Sequence, residues 1–427
     1  MTAQISEYRL DGIYRQRQDD FFMQRVKLAA GVISAGQART VATAATRFGR
    51  GTIHLTSRGS MEIHWLKEGD LPELKKFLAS AGLTSRGACG GAVRGVTCSS
   101  QGASGFPELE TMARRLHRHF TANPRFERLP KKFKIGIEAD TDSRRHLIQD
   151  AGLVLADSKQ SSPCYDLYLA GGLGREPQAG FLFDAGVSEN RIIPMIEAVA
   201  RVYAANAPAG KRLKHLIREI GEEEFRRLVA QEPSAMEELP AVTGLPENLV
   251  HCSGTRRIVA RVPAGELTSN QLAALAGFAD SFCDGVLMVT ADQDIAFHVS
   301  TTIDSAKTIA ALELAGFGES LVSFRVCPGS HQCRVGLAPT RDVAATVIDA
   351  MGPLARSLRW AISGCPNSCT QPQLADYGIV SSSLMKDDQG QRTPRFDLYR
   401  LGNEGLGSIV ESSLTLDGLC NRVREIG

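Results

Sequence analysis

The stretch FMQRVKLAAGVISAGQARTVATAATRFGRGTIHLTSRGSMEIHWL, residues 22–66, has a counterpart in RRIVARVPAGELTSNQLAALAGFADSFCDGVLMVTADQDIAFHVS, residues 256–300. Gly31 meets Gly265, Gln37 meets Gln271 and Thr56 meets Thr290, all at the offset 271 − 37 = 234, so one register fits the whole unit. Each copy predicts strand, helix, strand, strand, helix. RVKL and ARVP alternate as strands; Ser34 and Thr268 stand where an N-cap is wanted, followed by apolar residues at three-to-four spacing; TIHLT and VLMVT are β-branched, and MEIHW and IAFHV alternate again. The helices DLPELKKFLASAG and DSAKTIAALELAG close the two units, each with glycine at its end.

A second repeat follows each of these. LPKKFKIGIEAD aligns with RSLRWAISGCPN at offset 359 − 134 = 225, and DLYLAGGLG from Asp166 echoes DLYRLGNEGLG from Asp397. The expected fold class is α+β: a duplicated pair of modules related by a pseudo-twofold axis. The boundaries read as 16–85 and 86–205 for the first pair, 206–250 for a charged helical connector, and 251–320 and 321–427 for the second pair. A chain of 427 residues exceeds what one hydrophobic core normally supports, which agrees with several units.

With 49 basic against 47 acidic residues there is no strong global field, which argues against nucleic acid as the main partner. The polar N-terminus lacks the apolar core of a signal peptide, and no run approaches the length needed to span a bilayer, so a cytoplasmic chain without membrane contact is expected. There a reducing poise disfavours disulfides, and ten cysteines point to metal or redox use. Cys89, Cys98, Cys164, Cys252, Cys283 and Cys420 are scattered and read as small buried hydrophobes. Cys327 and Cys333 have five residues between them, and Cys365 and Cys369 have three, with glycine or proline beside the thiols. Four thiolates suit a structural zinc or an iron–sulfur cluster; the wide first spacing and the free amides of the neighbouring segment favour the cluster.

The two copies differ in their chemistry. Where the second has Cys365 and Cys369, the first has Asp140 and Arg144; where the first has Arg25 and Arg58, the second has Val259 and Asp292. A single site at the pseudo-symmetric interface would need one set from each half.

The spacing C-x5-C, 31 intervening residues, then C-x3-C in the form GCPNSC resembles the siroheme and [4Fe-4S] motif of the sulfite and nitrite reductase family, tandem-repeat type, and the resemblance covers nearly the whole chain. It implies that 16–85 and 251–320 are ferredoxin-like half-domains, and that 86–205 and 321–427 are siroheme- and cluster-type modules, the first without cysteine ligands. It also implies that Cys327, Cys333, Cys365 and Cys369 hold a [4Fe-4S] cluster, with Cys369 bridging to the iron of siroheme. Arg25, Arg94, Lys132 and Lys134 match positions where the family binds its anionic substrate, and Arg58 a position that contacts a siroheme carboxylate. Arginine offers a planar fork and stays charged, while lysine can give up a proton, so Arg25 and Arg94 are expected to orient the anion and Lys132 and Lys134 to polarise and protonate its departing oxygens.

The chain departs from the family at Gly59 and Glu62, where Gln is frequent, at Gly95, where Asn is, and at His54, where Arg is. A carboxylate at Glu62 would repel siroheme carboxylates unless it were protonated or turned away. The basic runs from Arg114 and Lys211 read as solvated helix faces, and GGLG at 171–174 is too weak for a nucleotide site. The implied activity is a six-electron reduction, of sulfite to sulfide by the look of the segments around Arg94 and Lys132, with nitrite to ammonia as the alternative. A precorrin-3B synthase-like enzyme and a non-catalytic iron–sulfur relay are further alternatives. No flavin or nicotinamide module is visible, so electrons are expected from an external donor, a ferredoxin or a flavoprotein.

Overall fold

The computed structural model describes residues 7–98, 107–157, 163–240, 254–318, 322–386 and 390–427; Cys252 lies outside them. The repeat of the sequence is a repeat of architecture. In the first half-domain the strands Phe21–Val26, Thr52–Thr56 and Ser60–Lys67 form a sheet backed by the helices Ala35–Phe48 and Leu71–Ser80. In the second, Thr255–Ala260, Val286–Val289 and Ile295–Ser300 form its counterpart with the helices Ser269–Phe282 and Ser305–Leu314. Both expected N-caps are present as full capping boxes: Ser34 accepts from the Gln37 amide and Thr268 from the Gln271 amide, and each glutamine reaches back to its cap.

Each half also lends the other a strand. Val32–Ser34 pairs antiparallel with Val286–Val289, and Glu266–Thr268 pairs with Thr52–Thr56. Since 32 + 234 = 266 and 52 + 234 = 286, the exchange is reciprocal, as a pseudo-twofold axis requires. The two halves share one core, with Val41, Ile53 and Leu55 in the same buried cluster as Leu272, Leu275 and Leu287. Glycine at 59 is demanded by this approach: its φ is +61°, and a Cβ there would come within 3.1 Å of the Gly31 Cα and 3.2 Å of the Val289 carbonyl.

The other modules are five-stranded mixed sheets of the same order. Thr97–Cys98, Ile135–Glu138 and Ala151–Asp157 run parallel, then Cys164–Leu169 and Phe181–Ser188 continue antiparallel. Ser323–Val326, Arg359–Ser363, Tyr377–Lys386, Arg392–Arg400 and Ser408–Leu414 repeat the pattern. These sheets have separate cores.

The connector is helical where described, at Leu213–Ile220 and Glu222–Gln231, but it is not a solvated face. Leu213, Leu216 and Ile217 are buried in the first module's core, and the Arg212 and Lys214 side chains are buried too. Arg212 meets the buried carboxylate of Asp150 at 2.7 Å, while Lys214 donates to the carbonyls of Gly172, Leu173 and Glu176, which is the use the structure makes of the GGLG turn. The run from Arg114 is likewise tied down: Arg114 pairs with Glu110, Arg115 with Glu189 and His119 with Glu197. Arg118, Lys211 and Arg218 keep the solvent exposure expected of these runs, while Arg212 and Lys214 are covered.

Candidate active site

Two adjacent parallel strands end side by side because Val326 is in register with Ile362, and the next residues of each are Cys327 and the Gly364–Cys365 turn. The Gly364 amide donates to the Cys327 sulfur at 3.2 Å. A short helix, Gly329–Gln332, carries the chain to Cys333. Its first residue must be glycine, because φ is +53° and a Cβ would fall 2.3 Å from the Thr340 hydroxyl. The turn after Cys365 passes through Ser368 in the left-handed region to Cys369.

Cys369 lies within electrostatic reach of Cys327, Cys333 and Cys365, and Cys365 within reach of Cys327 and Cys333. Burial, then the neighbouring thiols, push Cys327 up to about 12 and Cys365 up to about 11, and burial raises Cys333 as well. Such thiols ionise readily only against a compensating positive charge, which a bound metal centre would supply. Among the described residues no group of three or more His, Cys, Asp or Glu is placed to hold a single metal ion. All nine described cysteines are free of disulfides. Cys369 is exposed although its neighbours Ser368 and Thr370 are buried, so this residue is open to solvent.

The cations approach from the first half. Arg25 lies on Phe21–Val26. Arg94 sits in a loop zipped to the LPKKFK segment, with its amide on the Phe133 carbonyl at 2.8 Å and the Phe133 amide on the Ala92 carbonyl. Phe133 is fully buried, which turns Lys132 and Lys134 together to the other side. Lys132 is close enough to Cys369 for its ammonium to feel the thiol. The Ser57 hydroxyl, next to Arg58, donates to the Cys369 carbonyl at 2.6 Å, and the Gln371 side chain donates to the Ser57 carbonyl. Thiols of one half and cations of the other are thus brought together.

This cluster of cations is short of anions. Burial, then Arg212, lowers Lys132 to about 8; burial, then Lys132 and Arg58, brings Lys134 well below the usual lysine value; burial, then Arg94, lowers Arg58 to about 9; and burial lowers Arg94. Among the described residues the Lys132 and Lys134 ammonium groups have no hydrogen-bonding or ion-pair partner. A polycarboxylate ligand would relieve all four, so the residues present suit siroheme. Arg58 is not wholly free for it: its guanidinium donates to Gln149 Oε1 at 2.9 Å and to the Gly95 carbonyl at 2.7 Å, leaving only its buried Nε without a partner.

Several contributors carried no signal in the sequence. Arg17 donates to the Gly336 and Cys333 carbonyls and its amide to Gln332, and Gln18 donates to the His331 carbonyl, so the polar N-terminus clasps the Cys333 loop. Buried Arg325 holds the Thr370 and Gln371 carbonyls just beyond Cys369. Lys27, 3% exposed, donates to the Val93 carbonyl at 3.2 Å and so supports the loop that carries Arg94.

Against known families, residues 96–237 match the nitrite and sulphite reductase 4Fe-4S domain, and residues 14–81 and 254–315 match the nitrite/sulfite reductase ferredoxin-like half domain. The 4Fe-4S match falls on the copy that carries the cations; the four thiols lie in the other copy, beyond it. A ferredoxin–nitrite reductase of Synechococcus elongatus is 28% identical, over 95% of this chain and 85% of that protein. A sulfite reductase [ferredoxin] of Mycolicibacterium paratuberculosis is 25% identical, over 94% of this chain and 79% of that one. The solved structure of the Mycobacterium tuberculosis NirA protein superposes with a TM-score of 0.83 at 24% identity, covering 98% of this chain and 85% of that chain, which establishes the shared fold. With both domain types present, the half-domain in two copies, and named reductases aligned over nearly all its length, the chain belongs to the nitrite and sulfite reductase family of iron–sulfur oxidoreductases.

Proposed function

We propose that this chain is a siroheme-dependent reductase that passes six electrons to a small oxyanion, sulfite or nitrite. The observation that carries the reading is that Lys132, from the first copy, lies within electrostatic reach of Cys369, an exposed thiol from the second. Cys327, Cys333, Cys365 and Cys369 would hold the [4Fe-4S] cluster, Cys369 also serving the siroheme iron, and Arg58 would meet a macrocycle carboxylate through what remains of its donor set. When bound, siroheme supplies an iron for the substrate's central atom and the cluster supplies a store of electrons beside it.

The chain's own residues then have distinct tasks. Arg94 keeps its guanidinium buried on the Gly87 and Gly90 carbonyls, a fixed donor that orients an anion without reorganisation, and Arg25 flanks it. Lys132, poised at about 8, can hand a proton from Nζ to a departing oxygen near neutral pH and recover it from solvent; Lys134 beside it polarises the same oxygen. Sulfite consumes six electrons and six protons to give sulfide and three waters; nitrite with six electrons gives ammonia and two waters. An external donor, a ferredoxin as in the named relatives or a flavoprotein, supplies the electrons. Free thiols suit the reducing cytoplasm, and no described helix is long and apolar enough to cross a membrane. A plain electron relay or a precorrin-3B synthase-like enzyme would have no use for all four anion-facing cations.

Reduced-viologen turnover with sulfite and nitrite in parallel tests the proposal. The holoprotein is expected to consume at least one of them, and Arg94→Ala to lose roughly a hundredfold or more, as removal of one preorganised donor does. Undiminished turnover in that variant removes Arg94 from the substrate site.

A further inference from the structure

We propose that Glu62 cancels the charge of Arg25 and thereby tilts the anion pocket toward a monoanion, nitrite in preference to sulfite. The inference rests on the reading above that Arg25 faces the substrate, and it runs against the sulfite preference suggested by the sequence. Arg25 and Glu62 are register partners on neighbouring antiparallel strands, with His54 opposite Glu62 on the third. Glu62 Oε1 accepts from Arg25 Nε at 2.9 Å and from Nη2 at 2.5 Å, and Oε2 lies 3.3 Å from His64 Nε2. Both carboxylate oxygens are therefore engaged, and the side chain is only 6% exposed. The repulsion expected between Glu62 and a siroheme carboxylate is avoided because the group is turned onto Arg25.

The consequence for the pocket is electrostatic. Two of the three guanidinium nitrogens of Arg25 are occupied by a carboxylate, and the third reaches the Ala88 carbonyl and the Cys89 sulfur. Burial opposes the charge on both partners, yet Arg25 holds the Glu62 carboxyl well below the usual carboxylate range, and Cys89 and Glu62 raise Arg25 above the usual arginine value. The pair is thus fully ionised and sums to zero. Asp150, the other carboxylate in the neighbourhood, is already cancelled by Arg212. The substrate side is left with Arg94, Lys132 and Lys134 without a paired carboxylate among the described residues, one positive unit fewer than the four cations of the motif imply. Sulfite brings a second negative charge over much of the neutral range, whereas nitrite brings one, so each positive unit withheld from the pocket disfavours sulfite more.

Glu62→Gln keeps the shape and can still accept from Arg25, but adds one positive unit. At roughly 10 Å and an effective dielectric of about 20, that unit should shift the sulfite-to-nitrite ratio of kcat/KM about tenfold toward sulfite. The ratio of the two dissociation constants, read by calorimetry on the resting protein, should move the same way, and Glu62→Asp, which keeps the charge, should stay at the wild-type ratio even if both rates fall. Wild type itself should favour nitrite in both readouts, which decides the matter if the glutamine variant does not fold. An unchanged ratio in Glu62→Gln, a wild-type preference for sulfite, or no calorimetric binding of either anion overturns the inference. Binding with the expected ratios but without turnover instead sinks the reductase reading and leaves the role of Glu62 standing.

Discussion

The two copies of the sheet module solve the same backbone problem and then part ways over one carboxylate. Asp150 accepts from the Lys134 amide at 2.8 Å, and its counterpart Asp376 accepts from the Arg359 amide at 2.8 Å. In the second copy the Arg359 guanidinium folds back to pair with Asp376. In the first, the connector inserts Arg212, which takes Asp150 for itself. Among the described residues the Lys134 ammonium has no ion-pair partner beside Lys132, although Asp150 still acts on it through space. The connector does more than join the halves: its seat in the first copy has an equivalent in the second that no described residue covers, an open groove of about 740 Å³ lined by Leu354, Leu401, Val410 and Ile426. A duplicated fold can specialise by covering one copy and leaving its twin bare.

The comparison breaks first, and most visibly, at the paired positions Cys369 and Arg144. Cys369→Ala should abolish turnover and lower the iron content, a larger loss than the roughly 10–100-fold that removal of an outer partner of a metal site costs. Arg144→Ala should leave iron and sulfide content intact and cost only about 1–3 kcal/mol of stability, because Arg144 does no more than hold the carbonyls of Gly402, Asn403 and Gly405. Iron and acid-labile sulfide analysis beside urea unfolding separates the two.

The carboxylates come next. Asp150 is fully buried, and Asp150→Asn strands the buried charge of Arg212, so about 3–5 kcal/mol should be lost in urea unfolding. Asp376 is 29% exposed and its partner 50% exposed, so Asp376→Asn should cost about 0–1 kcal/mol. Equal losses would mean that the connector does not distinguish the copies.

A subtler contrast concerns Lys27 and its counterpart Arg261, which reaches Asp294 at 2.6 Å. Lys27 has only carbonyls, and burial followed by the repulsion of Arg94 lowers it from 10.5 to about 7. Its folded value lies below its unfolded one, so between about pH 7 and 10.5 the unfolded chain binds more protons and stability rises with pH; below that window the penalty is constant. Lys27→Met should flatten this rise, by a few kcal/mol at most, in unfolding free energies measured from pH 7 to 10. A profile that keeps its slope would show that Lys27 is charged throughout.

Much of the fold was legible because local signals agreed: both capping boxes, the alternating strands and the glycines that close the helices stand where propensity places them. The exchanged strands Val32–Ser34 and Glu266–Thr268 were not, since three residues carry no periodicity and their partners belong to the other copy. The thiols and cations were found from spacing and resemblance. The contacts that tune them were hidden because Arg212, Lys214 and Arg17 look like solvent residues until a neighbouring element covers them. The Arg25–Glu62 pair leaves a faint trace, visible only once the two strands are known to be adjacent and in register.

If second-copy sulfur and first-copy cations surround one tetrapyrrole-iron site, the visible spectrum of the protein should respond to titration with either anion. The purified protein should show the red absorption band of a reduced isobacteriochlorin, shifted by nitrite or sulfite, with the shift weakened in Lys132→Met and the band disturbed in Cys369→Ala. A broad brown shoulder alone, indifferent to both anions and to the loss of Lys132, would contradict it.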